Sequence, residues 1–208
     1  VNGLAPDLSV NYSSNGGPGT VGYGWNIGGI STIRRGPQTF FSDGILRGVE
    51  LDVNDRFYLD GQRLVNTAGN YGDAGAKYQT ENDIFTRVTP KNTDSNGPGW
   101  FKTETRSGLV CEYGNTTNSK QKVGSYPQTY QWYVSKISDL HGNQISFGYT
   151  QDHNMVYPET ITYGPNVITF IYKSREDKDA WFIKRDKTAQ WLLLESIVFM
   201  YNSNVVKA

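Results

Sequence analysis

The run Gln131-Trp132-Tyr133-Val134-Ser135-Lys136-Ile137-Ser138-Asp139, then Leu140-His141-Gly142-Asn143, then Gln144-Ile145-Ser146-Phe147-Gly148-Tyr149 decides the fold. In its last part Ile145, Phe147 and Tyr149 alternate without error with Gln144, Ser146 and Gly148. Side chains of a strand point alternately to opposite faces, so this spacing predicts one apolar and one polar face. Between the two halves, Leu140-His141-Gly142-Asn143 supplies the turn. A strand over 131–139 is therefore predicted to turn at 140–143 and return antiparallel over 144–149.

The same pattern recurs on both sides. Asp60-Gly61 lies between Phe57-Tyr58-Leu59 and Arg63-Leu64-Val65, and an Asp-Gly pair accepts the positive φ of a type I′ hairpin turn. Ser42-Asp43-Gly44 separates Thr39-Phe40-Phe41 from Ile45-Leu46 and predicts another turn. Arg106-Ser107-Gly108 divides 101–105 from 109–113, where Leu109, Cys111 and Tyr113 share one strand face. Ile161-Thr162-Tyr163 leads through Gly164-Pro165-Asn166 into a strand over 167–172. Pro165 fixes φ there, and Asn166 is expected in the left-handed position.

Some stretches read differently. Over 176–200 the apolar clumps 181–183 and 191–194 fit no helical stripe. A loop with at most one helical turn is expected, then a strand over 191–201. Segments 66–75 and 115–128 read as long loops, too short to link separate globules. The predicted class is all-β, with consecutive antiparallel hairpins in a curved or spiralling sheet, little helix, and residues 1–208 as one β-rich segment.

Composition fits that class. The chain has 208 residues, of which 23 are Gly, and its 14 Tyr, 9 Phe and 5 Trp make it 13% aromatic. This length can bury a core without metal or disulfide staples. Twenty basic and twenty acidic residues cancel, so the basic footprint of a nucleic-acid binder is missing. The aromatic content argues against disorder. No apolar run approaches the ~20 residues of a membrane-spanning helix. A single cysteine, Cys111, forms no intrachain disulfide. Because the chain starts at Val1 and ends soon after a strand-like run, it is expected to be a piece of a longer polypeptide.

Candidate chemical motifs are few. Gly17-Pro18-Gly19-Thr20-Val21-Gly22 matches G-x-G-x-x-G, but a dinucleotide site needs a helix to follow. Here Tyr23-Gly24-Trp25-Asn26-Ile27-Gly28-Gly29 follows, so a glycine-rich backbone folding tightly around Trp25 is expected, with Gly22 and Gly24 structural. His141 and His153 are too few for a zinc site. Cys111 sits in an alternating strand, and no G-x-S-x-G elbow exists. The pairs Glu50/Asp52 and Asp177/Asp179 have strand spacing but nothing to mark them as a catalytic dyad. Asp52-Val53-Asn54-Asp55 lacks the Gly and closing Glu of a calcium loop. The sequons Asn11-Tyr12-Ser13 and Asn115-Thr116-Thr117 matter only on a eukaryotic secretory route. No cofactor, metal ligand or catalytic residue is assigned. The residues singled out are structural: Trp25, Gly22, Gly24, Asp60, Gly61, Gly142, Asn143, Ile145, Phe147 and Tyr149. The many Tyr and Trp leave one alternative function, a glycan- or cell-surface-binding face, beside their ordinary use as strand and core residues.

Several motifs in order resemble one family. Pro6-Asp7-Leu8-Ser9-Val10-Asn11-Tyr12-Ser13-Ser14-Asn15-Gly16-Gly17, then Gly22-Tyr23-Gly24-Trp25-Asn26-Ile27 and Ile30-Ser31-Thr32-Ile33-Arg34-Arg35, resemble the opening of SpvB/TcdB-type proteins. These are the B components of insecticidal toxin complexes and their RHS/YD-repeat relatives. Phe57-Tyr58-Leu59-Asp60-Gly61-Gln62-Arg63-Leu64-Val65 is similar to that family's "F-x-L-D-G-x-x-L-V". The run from Trp132 to Tyr149 is similar to its "W-x-V-x-K-I-x-D-x-x-G-N-x-I-x-F-x-Y". Pro158-Glu159-Thr160-Ile161-Thr162-Tyr163, Phe170-Ile171-Tyr172 and Arg175-Glu176-Asp177 continue the match.

The resemblance implies a function without catalysis. In that family such hairpins wind into a hollow shell around a toxic C-terminal segment, and effector activity such as ADP-ribosyl transfer lies in separate C-terminal domains. Nothing here matches those domains. The chain is therefore expected to be a shell or scaffold segment of a secreted or cell-surface bacterial toxin-like protein. Its expected partner is the rest of its own polypeptide or a toxin-complex subunit. At 208 residues it would be too short to close such a shell, and unpaired strand edges are expected.

Overall fold

The computed structural model describes residues 3–82 and 85–207. Strands β1 (Ser9–Tyr12), β2 (Pro18–Gly19), β3 (Gly22–Tyr23) and β4 (Trp25–Gly28) form a small sheet in the order β1-β4-β3-β2. A second sheet begins with β5 (Thr32–Gly36), followed by the one-turn helix α1 (Phe40–Asp43) and by β6 (Arg56–Leu59), β7 (Gln62–Ala68) and β8 (Lys77–Thr80). It continues through β9 (Thr86–Lys91), β10 (Trp100–Thr105), β11 (Val110–Tyr113), β12 (Lys120–Lys122) and β13 (Thr129–Ser138). It ends with β14 (Gln144–Asp152), β15 (Met155–Tyr163), β16 (Asn166–Ile183), β17 (Asp186–Tyr201) and β18 (Asn204–Lys207). All pairings are antiparallel.

The curve of the large sheet closes on itself. From β5 to β11 each strand pairs with the next, and β13 then pairs with both β11 and β5. Among the described residues this makes a barrel of eight strands. The closing strand is forked. Tyr133 turns its backbone to one edge, accepting from the Gly114 amide and donating to the Ser119 carbonyl. Val134 turns to the other edge and donates to the Ser31 carbonyl. On its first edge β13 therefore meets β11 and β12, and on its second edge β5 and then β14. The hairpins β14 to β18 grow out from that second edge.

Each barrel strand contributes to one core. Ile33, Phe57, Leu64, Tyr78, Val88, Phe101 and Trp132 are all buried, and the same cluster runs on through Ile145, Phe147, Tyr149, Ile161 and Phe170. Trp132 takes the edges of Phe101 at 4.9 Å and Phe57 at 5.9 Å, the arrangement that the ring quadrupole favours. A fully buried side chain of this size contributes roughly 1.5–3 kcal/mol.

Several expectations change. Residues 40–43 are a helical turn rather than the end of a strand and a turn. Thr39 caps it by accepting from the Ser42 amide at 3.3 Å, and the Asp43 carboxylate accepts from the Thr39 amide at 2.9 Å. Gly44, at φ 69°, closes the other end by donating to the Phe40 carbonyl. At the 164–166 turn Gly164 takes the positive φ, 55°, and Asn166 already belongs to β16 opposite Tyr163. Residues 176–190 are not a loop: β16 and β17 run as one long hairpin of 18 and 16 residues. The two loops are also shorter than expected, since β7 extends to Ala68 and β12 lies within 115–128.

Candidate interaction surfaces

The residue types that carry catalysis are dispersed. His141 is exposed in the turn after β13. His153 sits between β14 and β15, with Nδ1 2.8 Å from Asp152 and its ring stacked on Trp191 at 3.5 Å. Glu50 and Asp52 do not lie on a strand, and Asp52 is paired with Arg47, whose hydrogen bonds hold its carboxyl below the usual range. Asp177 is held low by its bonds from Arg175. Burial pushes the Cys111 thiol up, away from the reactive thiolate. Among the described residues no three His, Cys, Asp or Glu side chains gather into a metal site. The G-x-G-x-x-G run forms the β2–β3 hairpin, not the strand-to-helix turn that cradles pyrophosphate.

Buried charges instead hold the architecture. Arg35 is buried and spends its donors on carbonyls of three separate segments: Thr129 at 2.8 Å, Asp52 at 2.8 Å and Asn96 at 3.2 Å. Asp55 lies 3.6 Å from it and accepts the amides of Glu50 and Asp52. The calcium-like run is thus folded inward on its own backbone. Arg35 also lines a recess of about 260 Å³ with Phe57, Tyr71 and Gly97, but its guanidinium is already engaged. Asp43 binds Arg63 at 2.6 Å and Arg56 at 2.8 Å. The Arg63 bond, with those from Thr39 and Arg56, holds the Asp43 carboxyl far below the usual range.

The residues singled out in the sequence fall in three places. Asp60 and Gly61 form the β6–β7 turn with φ of 47° and 83°. Asp60 also accepts from the Thr32 amide at 2.8 Å and the Ser31 hydroxyl at 2.6 Å, and Ser31 bonds Tyr113 at 3.0 Å. Gly142, at φ 81°, and Asn143 close the β13–β14 turn on Asp139. Ile145, Phe147 and Tyr149 are buried in the core, and the Tyr149 hydroxyl bonds the Val134 carbonyl. Trp25 and Gly22 lie in the small N-terminal sheet, with Gly24 in the turn between β3 and β4. Trp25 starts β4 opposite Tyr12 and Gly22, and it is 42% exposed. Sequence inspection set Asp43 in a turn and Arg35 and Arg175 in family-like motifs, but gave none of them a fastening role. Each is a charged residue with no local pattern to mark it as buried.

Three features face outward. The N-terminal sheet shows Tyr12, Tyr23 and Trp25. The α1 turn shows Phe40 and Phe41, the latter 95% exposed. Strand β18 pairs with β17 on one edge; among the described residues no strand pairs with its other edge. Its Val205 and Val206 are exposed.

Comparison with known proteins now has a geometry to meet. The profile of the family described as "SpvB: Salmonella virulence plasmid 65kDa B protein" matches residues 1–180. Mono(ADP-ribosyl)transferase SpvB of Salmonella typhimurium (strain 14028s / SGSC 2262) is 27% identical over 175 residues, covering 73% of this chain and 28% of that protein. The chain thus spans less than a third of that relative's length. The N-terminal domain of effector protein SpvB from Salmonella typhimurium strain LT2 superposes with a TM-score of 0.79 at 18% identity, covering 96% of this chain and 83% of that one. A chain of the Photorhabdus luminescens Tc holotoxin pore superposes at 0.78 and 18% identity, covering 96% of this chain and 12% of that one. The fold of closed and trailing hairpins is shared with both.

Proposed function

The chain belongs to the SpvB family, and from that membership we propose that it is a non-catalytic wall segment of a larger, secreted toxin-like bacterial protein. It helps to enclose or present an effector carried in the same polypeptide or by a toxin-complex partner subunit. One observation carries this reading: the closed barrel with its trailing hairpins superposes over 96% of this chain on the N-terminal domain of effector protein SpvB and on a chain of the Tc holotoxin pore, of which it covers only 12%. The buried charges support the reading, since Arg35, Asp43, Asp55 and Arg175 are all consumed in fastening segments to one another.

The test uses the parent polypeptide. The reading frame beyond Ala208 is sequenced, the whole protein is expressed, and limited proteolysis is compared with that of the 208-residue chain. Further strand arrays, a protease-protected downstream segment and slowed amide exchange over 204–207 are expected. A frame that stops within a few residues, or a downstream segment cut as fast as a free peptide, overturns the proposal.

A further inference from the structure

We propose that the N-terminal four-stranded sheet is a recognition surface for a neutral saccharide, with Trp25 and Tyr12 as the stacking residues. The two face each other across the β1–β4 pair, with ring centroids 5.0 Å apart and planes inclined at 45°. They are 42% and 59% exposed, so this pair of neighbouring aromatic residues offers surface to solvent.

One glycine is fitted to a ring: a Cβ on Gly24 would meet the Tyr12 ring at 2.9 Å, whereas one on Gly22 would make only an ordinary contact with the Trp25 indole, at 3.8 Å. The Tyr12 ring therefore lies against bare backbone, and Trp25 leans on Tyr12. The sheet is also fastened, by Arg175 Nη1 to the Gly19 carbonyl at 3.1 Å and by the Leu194 amide to the Thr20 carbonyl at 2.7 Å. Preorganised rings lose little freedom on binding.

Charge selects the ligand class. From Leu8 to Ile33 there is no Asp, Glu, Lys, Arg or His, in a chain that is 19% charged. The segment itself offers an anionic ligand, a nucleic acid or an acidic glycan, no cation, and the Arg175 guanidinium beneath the sheet is buried and paired with Asp177. Exposed Ser13, Ser14 and Asn15 follow Tyr12 directly and supply hydroxyl and amide partners. A neutral sugar presents an apolar C–H face to a ring and hydroxyls around its rim, which is the complement of this surface.

The experiment titrates the 208-residue chain with chitotriose, cellohexaose and lactose, using a sulfated heparin oligosaccharide as acidic control. Saturation-transfer NMR and tryptophan fluorescence are read at low salt and at about 0.5 M salt, where the Debye length is only a few ångströms. Saturable, salt-independent binding of at least one neutral probe is expected, weakened about tenfold or more by Trp25→Ala and by Tyr12→Leu. Trp181→Ala, on the distant hairpin tip, should bind as the parent does. If Trp25→Ala loses the sheet by circular dichroism, Tyr12→Leu, which keeps apolar bulk, decides. No saturable response at about 10 mM, an order above the ~1 mM constant of a weak contact, overturns the proposal. So does binding that survives both variants, binding of the heparin probe alone, or a dimer in sedimentation velocity that Trp25→Ala dissolves.

Discussion

Arg175 Nη1 donates to the carbonyl of Gly19 at 3.1 Å, joining residues 156 positions apart in the chain. The Arg175 side chain is wholly buried, and its Nε and Nη2 reach Asp177 at 3.0 and 2.9 Å. It lies where the β16–β17 register breaks, between Ser174 and Asp179. The extra backbone of that bulge turns the guanidinium toward the N-terminal sheet.

Arg175→Met keeps the apolar stem and removes the donors. A loss of about 1–3 kcal/mol is expected for the unpaired partners. Hydrogen exchange should speed up over 9–28 while the barrel strands stay protected. Uniform acceleration across the chain would show that the bond is not a local fastener.

Asp43→Asn tests the α1 platform. Asp43 binds two arginines, so the variant should cost about 2 kcal/mol in chemical denaturation and loosen residues 39–47. The sign with pH follows from the depressed carboxyl. Its stabilisation is complete above the unfolded value, ~4, and is lost as pH falls toward the folded one. Burial raises Asp55 instead, so its contribution runs the other way, strongest at low pH. Asp43→Asn should therefore flatten the acid limb of the stability curve below pH ~4.

Phe147→Ala opens a cavity in the core that β14 shares with the barrel. A cost of about 3–5 kcal/mol is expected, and Phe147→Asp should prevent folding by burying a charge. An unchanged melting temperature in Phe147→Asp would place the residue outside the core.

Gly61→Ala and Gly142→Ala isolate backbone strain. Both positions have positive φ, 83° and 81°, and open space where a Cβ would go. The cost should therefore come from conformation alone, about 1 kcal/mol each. Thermal denaturation of the pair of variants checks this. Losses much above that would mean the turns also set the registers of β6–β7 and β13–β14.

The hairpins at 60–61 and 142–143 were legible because turn chemistry and period two agree there. The middle of the hairpin at 166–201 was not, although strands over 167–172 and 191–201 were expected. Thr188, Ala189 and Gln190 are all buried in succession, so both faces of β17 are covered and no alternation remains to be read. The run from Lys173 to Asp179 looks like solvent-facing helix or loop, because the partner that buries Arg175 lies at the other end of the chain. The helical turn at 40–43 was hidden for a similar reason: Asp43 reads as a turn residue until Arg56 and Arg63 are placed beside it. At the surface, the glycines around Trp25 marked a tight backbone. Nothing local showed that the ring would point outward.

The forked strand also sets a schedule. Ile33 pairs with Leu59 on one side and with Trp132 on the other, so the second edge of β5 must wait for about a hundred further residues before its partner exists. At ~5–20 residues per second of synthesis that is a delay of roughly 5–20 s. Until β13 emerges, the strands of the incomplete ring have an open seam at both ends. When it arrives, one ten-residue segment seals the seam and provides the edge on which β14 starts. Ring closure and outward growth then become a single timed event, and a chain stalled before residue 129 would be left with adhesive margins rather than a smaller barrel.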